Sequence, residues 1–185
     1  FAMARGAQKD NLDVPAMEMT KWFDTNYHYI VPEFVAGQTF KLASTKAVDE
    51  YKEARSLGIE TRPVLLGPVS YLLLGKSMDD ALQPLDLLDQ LLSVYQSVLK
   101  QLADAGAAWV QIDEPCLVLD LSDKAQDAYK TAYHALVNES SPKLMLTTYF
   151  GALDDNLSLA VNLPAAGLHI DLVRAPEQLQ AVLQS

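Results

Sequence analysis

Trp109-Val110-Gln111-Ile112-Asp113-Glu114-Pro115 is the stretch on which the fold turns: a short, mostly apolar run closed by two carboxylates and a proline. A run of this kind suits a strand covered on both faces, the usual condition of a parallel sheet. The same design recurs on either side. Arg62-Pro63-Val64-Leu65-Leu66 is ended by Gly67-Pro68, and Lys143-Leu144-Met145-Leu146-Thr147-Thr148-Tyr149 is ended by Gly151. Leu168-His169-Ile170-Asp171-Leu172-Val173 is a fourth run, with His169 and Asp171 alternating onto one face, and Tyr29 to Phe34 is a weaker fifth.

Helical patterns separate the runs. Leu88, Leu91, Leu92, Tyr95, Val98, Leu99 and Leu102 recur at spacings of three and four, and Gly106 stands where a helix is closed by a left-handed residue. Ala125, Tyr129, Ala132, Tyr133 and Leu136 repeat that stripe behind Ser122, an N-cap followed by Asp123 in the first turn. A shorter helix is expected from about Thr45 to Leu57, closed by Gly58, with loops over Gln8 to Val14 and Lys76 to Pro84. Strand and helix alternating without hairpin signals implies crossover units and an α/β parallel sheet. No Gly-x-Gly-x-x-Gly follows a strand, so the dinucleotide form of the doubly wound sheet loses its main support. Polar residues gather just past the strand ends, where a (β/α)8 TIM barrel builds its sites. Four or five strands in 185 residues fall short of the eight in roughly 250 residues of a full barrel. The expectation is an incomplete barrel, with strands missing at both ends of a chain that opens on Phe1 and reads as a segment of something longer.

Composition narrows the function classes. Asp and Glu number 24 against 14 Lys and Arg, giving a net charge of -10, and half the residues are hydrophobic. That balance supports a folded core and argues against a nucleic-acid partner, which needs clustered cations. Apolar runs such as Tyr71 to Leu74 are far below the roughly 20 residues of a membrane span. The opening residues carry no secretory h-region, and Cys116 is the single cysteine, so the chain forms no internal disulfide and a reducing, cytoplasmic setting is expected.

Two stretches could carry chemistry. Adjacent Asp113 and Glu114 must point in different directions. Either one anchors an amine or hydroxyl, or the pair caps a loop and meets a cation such as Arg62 or Arg174; spacing leaves both open. Glu18 to Tyr29 is the densest mixture of aromatic, cationic and amide groups, with Lys21 beside Trp22 and with Asn26 and His28 following. It suits an anionic ligand, or else an amphipathic helix start with Lys21 in solvent. The three histidines show no metal-ligand spacing, His134 is expected at the surface, and Ser70 lacks a nucleophile-elbow frame. Cys116 has no base nearby in sequence and reads as packing.

Several strings resemble the cobalamin-independent methionine synthases: Met3 to Gly6, Ala16 to Phe34, Arg62 to Val69, Trp109 to Pro115 and Thr147 to Phe150. The resemblance covers essentially the whole chain. It implies one of two face-to-face (β/α)8 barrels, here part of the N-terminal one over residues 1–185, because the strand bearing Thr147-Thr148-Tyr149 lacks the His-x-x-Cys of the catalytic barrel. In that family a methyl group passes from 5-methyltetrahydropteroyltri-L-glutamate to L-homocysteine. Zinc and homocysteine belong to the C-terminal catalytic barrel, and no metal site is implied in this segment. Lys21 matches the lysine assigned to the triglutamate tail and is expected to face the mouth of the strands. Asn26 and His28 follow as folate-side candidates. Asp113 matches the Asp-Glu-Pro that contacts homocysteine in the sister barrel, and here it reads as an inherited scaffold carboxylate. A second folate-binding basic stretch of the family falls before residue 1. The segment alone is expected to be inactive. The competing expectations are a barrel half that only braces its partner, and a self-sufficient barrel enzyme using Asp113 and Glu114 as acid and base.

Overall fold

The computed structural model describes residues 2–9 and 11–185. Its first part is made of short pieces: helix α1 (Ala2–Arg5), a hairpin of β1 (Ala7–Lys9) and β2 (Leu12–Val14), and a second hairpin of β3 (Met19–Lys21) and β4 (His28–Ile30). Strand β5 (Glu33–Phe34) and helix α2 (Lys46–Ser56) lead to β6 (Val64–Leu66), α3 (Pro68–Leu73) and β7 (Lys76–Ser77). There follow α4 (Leu88–Asp104), β8 (Trp109–Asp113), α5 (Asp123–Leu136), β9 (Lys143–Thr147), α6 (Leu157–Asn162), β10 (Gly167–His169) and α7 (Gln178–Gln184).

The four strong strand candidates form one parallel sheet in the order β6-β8-β9-β10. Neighbours follow chain order in one direction, without the reversal that defines a doubly wound sheet. The sheet is singly wound, and its edge strands β6 and β10 do not meet, so a closed barrel is not formed among the described residues. The expected Tyr29–Phe34 strand divides instead. Its first part belongs to the antiparallel β3–β4 hairpin, and its last two residues pair in parallel with β7, inside a stretch expected to be loop. Gln8 to Val14, also expected as loop, is largely the β1–β2 hairpin, and Asn11 there has φ +62°. Asn11 was its available signal in the sequence, since asparagine tolerates the left-handed backbone of a tight turn.

Burial is one-sided. Val110, Ile112 and Leu146 are fully covered on the face that packs on helices. The opposite face carries Val64, Gln111, Met145 and Gly167 in one row and Leu66, Asp113, Thr147 and His169 in the next. Strands buried on both faces were expected, yet Val64 is 54% exposed and Trp109, Gln111 and Asp113 are half-buried. Of the residues in these two rows only Thr147 is buried.

The helices form where the stripes place them. Leu88, Leu91, Leu92, Leu99 and Leu102 of α4 are buried, and Gly106 beyond its end adopts φ +92°. Arg55 of α2 donates to the Ala105 carbonyl at 2.6 Å and Tyr51 to the Gly106 carbonyl at 2.9 Å, so α2 satisfies the end of α4. Ser122 caps α5 by accepting from the Ala125 N–H. At Gly67, the N-cap of α3, a Cβ would lie 2.0 Å from the Glu114 carboxyl carbon. Gly67→Ala is therefore expected to destabilise this chain by about 1–3 kcal/mol through overpacking. Equilibrium denaturation checks it, and an unchanged midpoint would mean that the Glu114 side chain yields to the added methyl group without cost.

Candidate functional site

Polar and aromatic groups converge at the C-terminal ends of the sheet strands, beneath the β3–β4 hairpin. The hairpin is fixed on two sides. Near its base, the Tyr29 hydroxyl donates to the Leu74 carbonyl at 3.0 Å, and Lys76 bridges Glu18 at 2.8 Å and Glu33 at 3.4 Å. At its tip, the Phe23 ring stacks on Phe150 with centroids 4.9 Å apart, and Arg174 Nη1 meets both Asp24 oxygens at 2.9 and 3.0 Å. Leu74 and Lys76 follow the edge strand β6 and its helix, Phe150 follows β9, and Arg174 follows the other edge strand, β10. The hairpin thus reaches across the sheet at the polar end of its strands.

Pairing places Lys21 opposite His28, so the two side chains share a hairpin face. Trp22 and Tyr29 share the opposite face, with their rings in edge contact at 5.4 Å. Lys21, Asn26 and His28 are exposed, and Lys21 has no salt bridge among the described residues. Lys21 and His28 are therefore brought together, with Asn26 in the intervening turn. Their face is opposite to the one through which Tyr29 docks, so Lys21 stands in solvent rather than facing inward. The expected alternative of an amphipathic helix start gives way to a hairpin.

Asp113 lies below. Its Oδ1 accepts from Gln111 Nε2 at 2.7 Å and its Oδ2 from the Tyr149 hydroxyl at 3.1 Å, while Arg62 donates to Gln111 Oε1. Arg62 thus reaches an amide and Arg174 reaches Asp24; neither pairs with Asp113 or Glu114. No local signal announces the Asp24–Arg174 pair, because 150 positions separate the two residues.

Glu114 is completely buried, and its Oε2 accepts the Ser70 N–H at 2.8 Å. Ser70 Oγ accepts the Cys116 N–H and lies 3.5 Å from the Tyr129 hydroxyl. Glu114 therefore caps α3, a helix preceding it in the chain, and not the loop that follows it. Burial pushes its carboxyl up to about 7, against hydrogen bonds from Ser70 that act downward. Burial likewise pushes the Cys116 thiol up to about 12, which keeps it a packing group. His169 ends β10 with Nδ1 3.0 Å from the Thr148 carbonyl. Asp171 lies past the strand end and accepts N–H groups of Phe150, Val173 and Arg174, so it does not continue the strand face with His169. Those bonds, led by that of Arg174, hold its carboxyl below the usual range. No three His, Cys, Asp or Glu side chains converge to hold a metal ion among the described residues.

What fold and site define together is a singly wound parallel α/β unit whose strand ends are roofed by a hairpin presenting a free cation. The whole chain, residues 1–185, matches the family described as "Cobalamin-independent synthase, N-terminal domain". The chain belongs to this family. It is 61% identical to the 5-methyltetrahydropteroyltriglutamate–homocysteine methyltransferase of Nitrobacter winogradskyi, over 98% of the chain and 26% of that protein. Its identity to the enzyme of the same name from a Chelativorans species is 60%, over 100% of the chain and 25% of the relative. The chain spans about a quarter of the length of the curated relatives it matches. A solved B12-independent methionine synthase from a Shewanella species, in complex with selenomethionine, shares the fold. The TM-score is 0.55 over 71% of this chain and 39% of that one, at 18% identity.

The buried carboxyl makes stability depend on pH. Between the usual Glu value of 4.5 and about 7 the folded chain holds this proton more tightly than the unfolded chain. Its contribution to stability therefore falls as pH rises through that interval and levels off above it, amounting to about 3 kcal/mol. Glu114→Gln should flatten this slope in denaturation measured from pH 5 to 8. An equal slope in the variant would place the titrating group elsewhere.

Proposed function

We propose that this chain is part of the N-terminal barrel of a methyltransferase that moves a methyl group from 5-methyltetrahydropteroyltri-L-glutamate to L-homocysteine, yielding L-methionine. Its task in that enzyme is to hold the polyglutamate tail of the methyl donor. The observation that carries this reading is the exposed Lys21–His28 pair on a hairpin braced at the polar end of the sheet.

The electrostatics support it. A protein of net charge -10 repels a polyanionic tail unless cations are placed locally. The two carboxylates nearest Lys21 in sequence are engaged elsewhere, Glu18 by Lys76 and Asp24 by Arg174. Lys21 is left to pair with a carboxylate of the ligand, and His28 and Asn26 add hydrogen-bonding groups beside it. Because Lys21 and His28 turn away from the docked side of the hairpin, the tail lies between this unit and another layer. In this proposal that layer is the C-terminal catalytic barrel, which also holds homocysteine and the zinc implied by the family. Asp113, with both oxygens occupied by Gln111 and Tyr149, orders the strand ends and makes no bond to substrate.

The contribution is positioning of the donor, with no bond-making group in this chain. The segment alone is accordingly inactive, and the enzyme is cytoplasmic. The half-covered sheet face supports closure of the barrel by strands supplied from the rest of the protein. The same open face favours a second reading, in which this unit only braces the catalytic barrel.

Lys21→Ala in the full-length enzyme separates the two. Loss of a charge-assisted contact of about 1.5–3 kcal/mol raises KM for the triglutamate donor by about ten- to hundredfold, with kcat little changed. An unchanged KM favours the bracing role.

A further inference from the structure

We propose that Arg174 is a positioning residue that pins the hairpin tip and thereby sets where Lys21 stands. This rests on the tail-binding reading above and adds to it a residue from the opposite edge of the sheet.

Three kinds of contact meet at Arg174. Its Nη1 holds both oxygens of Asp24 at 2.9 and 3.0 Å, and Asp24 lies three residues beyond Lys21 in the hairpin turn. Its plane lies over the Phe150 ring at 5.3 Å, and that ring stacks on Phe23 of the same turn. Its own backbone N–H is held by Asp171 Oδ1, while Asp171 Oδ2 accepts from the Phe150 N–H. Asp171 therefore fixes both the arginine and the aromatic platform on which the turn rests. From that platform a continuous path of side chains runs back to the sheet. Phe150 makes an edge contact with Tyr149, whose hydroxyl donates to Asp113 on β8.

The backbone at the stack is unusual. Phe23 has φ +52° and Phe150 has φ +80°, a region that bulky residues rarely occupy. Two phenylalanines held there against one another are maintained by the surrounding contacts rather than by local preference. Near the base of the hairpin, Tyr29 and Lys76 supply separate anchors. Removing the tip contact frees the Lys21 end while the base stays attached, so the effect is one of placement rather than of folding. Arg174 and Asp24 are both partly exposed, so the pair alone is weak. Its importance lies in restricting the turn.

The test uses the full-length enzyme and the variants Arg174→Gln, Arg174→Lys, Asp24→Asn and Lys21→Ala. Expected for Arg174→Gln is a rise in triglutamate KM of about three- to fivefold, faster amide exchange confined to the Lys21–Tyr29 segment, and little change in kcat. Asp24→Asn, at an exposed position, should reproduce both effects, and Arg174→Lys should restore part of the protection. Combined with Lys21→Ala, Arg174→Gln should add less than about 1.5-fold, since residues acting through one another are not additive. If Lys21→Ala raises KM while Arg174→Gln and Asp24→Asn change neither KM nor hairpin exchange, the positioning role is wrong and the tail-binding reading stands. Faster exchange spread over the whole sheet with KM unchanged also overturns it, as a merely structural contact. An unchanged KM in Lys21→Ala removes the tail-binding reading and this inference with it.

Discussion

The buried carboxyl of Glu114 ties strand to helix at a point with no spare room. It is shut away from water, accepts the Ser70 N–H and fills the space over Gly67, where even a methyl group would collide with it. Through that one group the end of β8 is tied to the turn leaving β6 and to the start of α3. Everything above it inherits this geometry. The neighbouring residue, Asp113, must project to the other face of the strand, where Gln111 and Tyr149 take up its two oxygens. Two adjacent carboxylates thus divide the work between wall and mouth.

The mouth is roofed from outside the sheet. The hairpin carrying Lys21 contributes no strand to the parallel sheet, and contacts on two sides hold it. Tyr29 and Lys76 act on one side, and Phe150 and Arg174 on the other. This architecture separates the buried core from the exposed cation. The sheet and its helices bury the apolar groups, while the hairpin exposes a cation whose neighbouring acids are already paired. In the proposed function, this is how an acidic protein offers a local site to an anionic chain.

Much of the scaffold was legible in the sequence. The stripe from Leu88 to Leu102, the Ser122 cap and the left-handed Gly106 each act over a few residues, so local spacing suffices to find them. The four runs from Arg62 to Val173 fell in the one parallel sheet, because β6, β8, β9 and β10 pair in chain order. Structure departs from local pattern where strand pairing overrides it. Tyr29 to Phe34 looked like one strand yet serves two partners, and Lys76-Ser77 looked like loop yet pairs with β5. The last strand also stops at His169, because Asp171 spends its oxygens on the turn that follows.

The candidate site divides in the same way. Residue chemistry drew attention to the Lys21–His28 stretch and to Asp113 but left a bland role open for each, and the family resemblance is what named Lys21, Asn26, His28 and Asp113. Which way Lys21 faces, that Glu114 caps α3, and that Arg174 takes Asp24 rather than Asp113 or Glu114 were decided only in three dimensions. Each depends on groups brought together across 44 to 150 positions of sequence. Local pattern holds no record of such meetings; the sheet register and the hairpin's docking create them.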